Sequence, residues 1–335
     1  MAKRSKKKTS KPVIRKDSVE MHRSDGHPPV VVQRTTLEAI KSSADTVDLS
    51  ADGKTLVSSE NHFVRIWDVA TGSERLKIKV GAPSPRARLS PDGRTIAAVS
   101  NESATIKFYD ATSGEEHGKL MTVNDLSLYH IEFSPDGKLV AMCGALPHGR
   151  RGVTGGAEIW HTDSFEIHRL LPSHPEVVTQ VAFHPTRPIM ATAAGGHHLQ
   201  LWDLDSATVA ETINLPAPAD LSSVRFTADG ARVLVAGQST PAILYSLDPV
   251  EVVATLTSGK NDASDIAIRS DGRLAFIAGS HIEIVDLETR SLVGTLPSPE
   301  WGTTSLALSA DGNLLAANCN GRRQIHLWDV SPLNH

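Results

Sequence analysis

Aromatic residues make up only 4% of this 335-residue chain, and it contains just two cysteines, Cys143 and Cys319. So few aromatics require a core built from Val, Ile, Leu and Ala. The two cysteines form no metal-ligand spacing and no disulfide framework, so both read as free thiols in a reducing compartment. No run of 18 or more apolar residues occurs, which argues against a membrane-spanning helix. The basic N-terminus lacks the apolar stretch of a secretory signal. Catalytic signatures are missing as well. There is no Gly-x-Ser-x-Gly elbow, no His-Glu-x-x-His, no phosphate-binding glycine loop with its lysine and no Cys-His arrangement. His197-His198 has no third ligand at zinc-like spacing, and His148 reads as a loop residue, so no metal and no cofactor are expected.

Charge is unevenly spread. The formal net charge is −4, yet residues 1–16 hold eight Lys or Arg and no acid, leaving the remainder at −12. Like charges, Ser, Pro and no apolar periodicity make residues 1–29 read as a disordered basic tail. That tail is suited to weak polyanion contact through residues 1–16, but no aromatic is interleaved to stack on bases.

What the chain has in quantity is a repeat of about 40 to 50 residues, present seven times. Its first strand alternates: Val47/Leu49, Ala87/Leu89, Ile131/Phe133, Val181/Phe183, Val224/Phe226, Ile266/Ile268 and Leu306/Leu308. Spacing of two places each pair on one strand face. A tight hairpin follows at Gly53, Gly93, Gly137, Gly230, Gly272 and Gly312; the fourth, at Thr186-Arg187, has lost both its Asp and its Gly. A small apolar second strand leads to a third ending at Trp67-Asp68, Tyr109-Asp110, Trp160-His161, Trp202-Asp203, Tyr245-Ser246, Val285-Asp286 or Trp328-Asp329. A weaker fourth strand completes each unit. Units this small must share a core.

Ser-Pro-Asp-Gly hairpins, Trp-Asp strand ends and four short strands per unit resemble the WD-repeat β-propeller family over residues 35–332. The resemblance implies an all-β fold: a seven-bladed β-propeller of four-stranded antiparallel blades, spanning residues 30–335 as a single domain. The last unit lacks a fourth strand and Thr35–Ile40 lacks a unit in front of it. Thr35–Ile40 is therefore expected to pair with Gln324–Trp328 and close the ring, removing two sheet edges. On this reading a chain without residues 1–27 keeps its thermal midpoint and one without 1–40 does not. The family often carries a Gly-His whose imidazole bonds to a second-strand Ser or Thr, a loop Asp and the Trp. Only Ser173-His174 is similar here, and no blade can assemble the whole set.

Between the alternating apolar pairs lie Asp48, Arg88, Glu132, Ala182, Arg225, Ala267 and Ala307, expected near the axis. Asp48, Arg88 and Glu132 read as structural charges linking neighbouring blades. Loops between second and third strands share one face with those leading into each first strand. There the long loop Gly144–Gly156 brings Arg150 and Arg151, and the last blade brings Arg322 and Arg323 near Trp301. These five are the candidate contact residues for a protein or peptide partner, acidic or phosphorylated in character. The resemblance implies a non-catalytic, monomeric interaction scaffold in the cytoplasm, or in the nucleus if the basic run is an address. Two alternatives stand beside it: a lactonase-like propeller enzyme with a pocket at the channel mouth, and a nucleic-acid-associated protein using its tail.

Overall fold

A computed structural model describes residues 14–21, 30–37, 44–81, 83, 85–100, 103–146, 154–172, 174–196, 198–215, 220–257, 262–297, 302–318 and 323–334. Seven antiparallel sheets form a ring, each contributing one blade. The first strands, innermost in the ring, are Thr46–Leu49, Pro85–Leu89, Ser127–Phe133, Val178–Phe183, Asp220–Phe226, Asp265–Ile268 and Leu306–Leu308. Blade 1 continues outward through Thr55–Glu60, Phe63–Asp68 and Ser73–Lys79, and the pattern repeats around the ring.

The hairpin joining first and second strands owes its shape to a short polar sequence. In blade 1, Ser50 Oγ donates to Asp52 Oδ1 (2.7 Å) and accepts from Thr55 N (2.9 Å), while Asp52 Oδ1 accepts from Lys54 N (3.1 Å). Ser90-Asp92, Ser134-Asp136, Thr227-Asp229 and Ser309-Asp311 repeat the arrangement. The six hairpin glycines all have φ between 66° and 72°, where a Cβ is strained. In blade 4 the missing Asp and Gly are replaced by another device. His184 Nδ1 accepts from Thr186 N (3.2 Å) and Arg187 N (3.0 Å). Its Nε2 therefore carries the proton and donates to Gly230 O of the next blade (3.0 Å). Burial holds the His184 pKa below its ordinary value, in keeping with a neutral ring.

Where an aspartate follows the third-strand aromatic, it also has a backbone task. Asp68 Oδ1 accepts from Thr71 N (2.8 Å), Asp203 Oδ1 from Ser206 N (2.7 Å), and Asp110 Oδ1 from both Thr112 N (2.9 Å) and Ser113 N (2.7 Å). The recurring aromatic-Asp pair thus joins a buried ring to a capped turn.

Apolar burial lies between blades rather than within them. One cluster joins Val47 and Trp67 of blade 1 to Leu37, Ala316 and Leu327 of the last blade. Another joins Ile66 of blade 1 to Ile96 and Tyr109 of blade 2. A third joins Phe276 and Ile284 of blade 6 to Trp328 of blade 7.

The ring closes as the sequence suggests, with a shifted register and an addition. Strand β1 is Ile14–Met21 and β2 is Val30–Leu37. Strand β2 pairs from Gln33↔Asp329 to Leu37↔Ile325, and residues 38–40 of the expected closing strand lie outside the described residues. Strand β1 falls inside the stretch read as a disordered tail, yet it pairs with β2 along its full length as a fifth strand. Its anchor is a pattern too short to stand out among the charges: Met21 is buried in the blade 6–7 cluster and Val19 packs against it. Arg34 holds Asp17 in an ion pair, with Nε donating to Oδ1 (3.0 Å), and lies over the Trp328 ring (5.3 Å to its centroid).

Two outcomes follow. Deleting residues 1–27 removes Met21 and should cost about 2 kcal/mol or more, a few degrees of thermal midpoint. Equal midpoints for the full and shortened chains would contradict the docking of β1. The hairpin aspartates supply the second. Hydrogen bonding from Ser90 holds the Asp92 pKa below its ordinary value. A carboxylate with a lowered folded pKa stabilises above its unfolded pKa of about 3.9, and that contribution is lost as pH falls through the folded value. Asp92→Asn should therefore unfold earlier than wild type at pH 7, with the gap closing towards pH 3 in paired thermal melts.

Candidate functional site

In a ring of blades, each innermost strand has a neighbour on one side only. Its second row of backbone N–H and C=O groups faces the axis, where no further strand can pair with it. The side chains of alternate residues meet that need, in two tiers.

The tier nearer the hairpins contains Asp48, Arg88, Glu132 and Arg225, with Ala267 and Ala307 opposite, around a cavity of about 380 Å³. Asp48 Oδ1 accepts from Leu49 N (3.0 Å), and Oδ2 crosses to blade 2 to accept from Leu89 N (2.7 Å). Arg88 Nη1 donates back to Val47 O (3.3 Å), and its Nε lies 3.9 Å from Glu132 Oε2 in blade 3. Burial raises the Asp48 and Glu132 pKa values, opposed chiefly by Arg88 at Asp48 and by Arg225 and then Arg88 at Glu132. At Arg88 burial pulls the pKa down, but Asp48, Glu132 and Asp265 together leave it raised. Arg88 thus lies between acids on its two neighbouring blades.

The second tier, nearer the opposite face, is one the sequence reading did not single out. It lines a cavity of about 240 Å³ with Thr46, Arg86, His130, Gln180, Asp265 and Ser305. Each sits two residues before a member of the first tier, or before Ala182 in blade 4, and so shares its strand face; that parity is the signal that could have found it. Several bonds run from one blade to the next. Thr46 Oγ1 accepts from Ala87 N (3.2 Å), Gln180 Oε1 from Val224 N (2.6 Å) and Asp265 Oδ2 from Leu306 N (2.9 Å). Ser305 Oγ accepts from Val47 N across the closure of the ring (3.2 Å). Asn318, fully buried, adds a second closure: its Oδ1 accepts from Ser305 N (2.9 Å) and its Nδ2 donates to Ala44 O (2.8 Å).

Two members of this tier are left over. His130 is 6% exposed and neither ring nitrogen has a hydrogen-bond partner; Glu132 Oε2 is 3.7 Å from Nε2. Burial, with Arg88, Arg225 and Arg86 nearby, pushes the His130 pKa well down, so the ring is neutral. Arg86 forms no hydrogen bond or ion pair among the described residues, and burial and the adjacent Arg88 lower its pKa.

Of the loop-face candidates, Arg323 is exposed beside the last third strand. Trp301, Arg322, Arg150 and Arg151 lie outside the described residues, as do His148, His197 and Cys319. His198 is exposed. Cys143 is a buried free thiol whose pKa burial raises. Among the described residues no group of three His, Cys, Asp or Glu could hold a metal ion, and no helix is long and apolar enough to cross a membrane.

The buried polar set expected from the resemblance is replaced piecemeal. Trp67 Nε1 donates to Ser58 Oγ (2.9 Å), Trp202 Nε1 to Thr192 Oγ1 (3.1 Å) and Trp160 Nε1 to Glu158 Oε2 (3.1 Å). Glu158 is fully buried and also accepts from Val123 N (3.1 Å) and Asn124 N (2.9 Å).

A family model described as WD domain, G-beta repeat matches residues 33–68 and 165–203. Both matches begin on or just before a fourth strand and end on the third strand of the next blade, so the sequence repeat is offset by one strand from the blade. The chain is 27% identical to a WD repeat-containing protein WDS homolog of Arabidopsis thaliana, over 64% of this chain and 40% of that protein. It is 22% identical to Protein LST8 homolog of Drosophila melanogaster, over 50% of this chain and 54% of that protein. It is 26% identical to a p21-activated protein kinase-interacting protein 1-like of Gallus gallus, over 52% of this chain and 43% of that protein. The chain thus spans about half the length, or less, of these curated relatives.

Removing Arg88 takes from two partly buried acids the cation that lies between them, leaving only Arg225 across the channel. Arg88→Ala should cost about 3 kcal/mol, and Arg88→Met less, because its stem still fills the space. A double-mutant cycle with Glu132→Gln, followed by thermal or denaturant unfolding, should show a coupling of about 0.5–1 kcal/mol. Zero coupling would contradict the blade 2–3 link.

Proposed function

Because the chain is a WD-repeat seven-bladed β-propeller, we propose that it is a non-catalytic scaffold that binds a partner protein or peptide on its loop face. The observation carrying this reading is the asymmetry of the two faces. In five of the seven blades the hairpin face presents a self-satisfied Ser- or Thr-x-Asp-Gly turn, with the hydroxyl and the Asp occupied by local backbone groups. The opposite face carries the varied connections, including the one that joins Ala145 to Gly155 at the end of a paired hairpin in blade 3. Variable loops on a rigid frame are where recognition is placed. The relatives support the same class: the Gallus gallus protein is named for interacting with a p21-activated protein kinase.

The contact residues are Trp301, Arg322 and Arg323 of the last blade, with Arg150 and Arg151 from the blade 3 loop. Four arginines with one Trp suit an acidic or phosphorylated segment, since a guanidinium grips carboxylate or phosphate in a bidentate fork. The basic run in residues 1–16 adds weak, salt-dependent attraction for polyanions. Monomeric propellers in the cytoplasm or nucleus complete this reading.

The test compares proteins captured by the wild type, by Trp301→Ala/Arg322→Glu, and by a hairpin-face control, Lys54→Glu/Lys138→Glu. The loop-face variant should lose partners that the control retains. Recovery of the same partners by all three would refute the loop-face site.

A further inference from the structure

We propose that the loop-face mouth of the channel binds a compact oxyanion, a carboxylate or phosphate group, gripped by Arg86 with the His130 ring N–H donating beside it. This is a site separate from the loop-borne patch, and it stands or falls without that reading.

The argument rests on which polar groups of the cavity already have partners. Asp265, the acid in its wall, accepts from Ile266 N (2.9 Å) at Oδ1 and from Leu306 N (2.9 Å) at Oδ2. Oδ1 is further approached by Gln180 Nε2 and Ser223 Oγ, both at 3.3 Å, and by Arg225 at 3.6 Å. Gln180 Oε1 accepts from Ser223 Oγ and Val224 N. Asp265 is thus committed to the ring and is not free to neutralise Arg86. The fields of Asp45 and, more weakly, of Asp265 reach Arg86, but neither forms an ion pair with it among the described residues.

What is left aimed into the cavity is a guanidinium with up to five donors and an imidazole with both nitrogens unpaired, 6% exposed. Buried polar groups in native folds have partners, and an exception of this kind marks a place for one. The chemistry favours an anion, because Arg86 lines this cavity without a hydrogen bond or ion pair among the described residues, and the positive charge of Arg88 on the same wall disfavours its charged form. An oxyanion on Arg86 supplies the missing counter-charge in a setting where a charge-assisted bond is strong. The size also restricts the ligand. A cavity of about 240 Å³ takes one carboxylate or phosphate on a short stem and excludes a folded element. The hydroxyls of Thr46 and Ser305 on the same wall already accept backbone amides and add no negative charge.

The anion can arrive free in solution or on an acidic side chain of a docked chain, and the experiment separates the two. Succinate and inorganic phosphate are titrated by calorimetry at constant ionic strength in chloride, against the full-length wild type, Arg86→Met and Arg86→Gln. At least one anion should bind saturably, tightening by tenfold or more relative to both variants, while the variants melt at the wild-type midpoint in chloride. Ring-nitrogen NMR shifts of His130 in the wild type should move along the same binding curve, a readout that needs no variant. A capped Gly-Glu-Gly peptide that competes with succinate assigns the site to a protein side chain; failure to compete assigns it to a free small anion. Absence of saturable binding by both anions, equal binding by the Arg86 variants, or an unmoved His130 ring would each overturn the proposal.

Discussion

The structure depends on how a ring of blades satisfies the inward edge of its innermost strands. Every first strand has one row of backbone groups with no neighbouring strand, turned towards the channel at the axis. An unpaired buried amide costs about 1–3 kcal/mol, so several would outweigh the stability of a typical domain. The remedy is side chains that reach sideways. Thr46 and Asp48 serve blade 2, Gln180 serves blade 5, Asp265 serves blade 7, and Ser305 returns to blade 1. Donors run the same way: Thr179 Oγ1 bonds Leu221 O (2.7 Å) and Ser264 Oγ bonds Thr303 O (2.5 Å). Polar residues at the axis are therefore first of all architectural. A functional reading is reserved for those that do none of this work.

That distinction separates the channel charges into two kinds. Asp48, Arg88 and Asp265 bridge blades, so altering them changes the fold before it changes any function. Arg86 and His130 bridge nothing, although they occupy the same strand face. The outer parts of the blades show a similar economy of roles. Asp68, Asp110, Asp203 and Asp329 cap the turns behind their buried third-strand rings, and where the consensus decays another group takes over, as His184 does for a lost Asp-Gly hairpin and Glu158 does for a lost Ser or Thr beneath Trp160.

Much of this was legible in the sequence because period two and a recurring Asp-Gly turn are local signals. The alternation Val47/Leu49 through Leu306/Leu308 located every inner strand, and the orphan strand near residue 35 located the closure. Three features were not legible. Strand β1 buries only Met21 and part of Val19 in the core, too few apolar residues to show through a run of Lys and Arg. The second axial tier was hidden because Thr, Gln, His and Ser at its positions share no chemical type, only a parity. The stand-in of His184 for Asp-Gly cannot be read from composition, since it depends on which ring nitrogen faces two amides. The loop-face residues belong to no repeat, so only their side-chain types spoke for them.

The central claim is that side chains of one blade seal the inner edge of the next. Native-state hydrogen exchange of the Leu89, Val224 and Leu306 amides tests it directly, because each points to the axis and bonds to a neighbouring blade. If the claim holds, these amides exchange only with the opening free energy of the whole ring, like those in the centre of a sheet. Exchange as fast as that of the exposed hairpin turns would contradict it, showing the channel edge to be open to water and the blades to be joined by apolar packing alone.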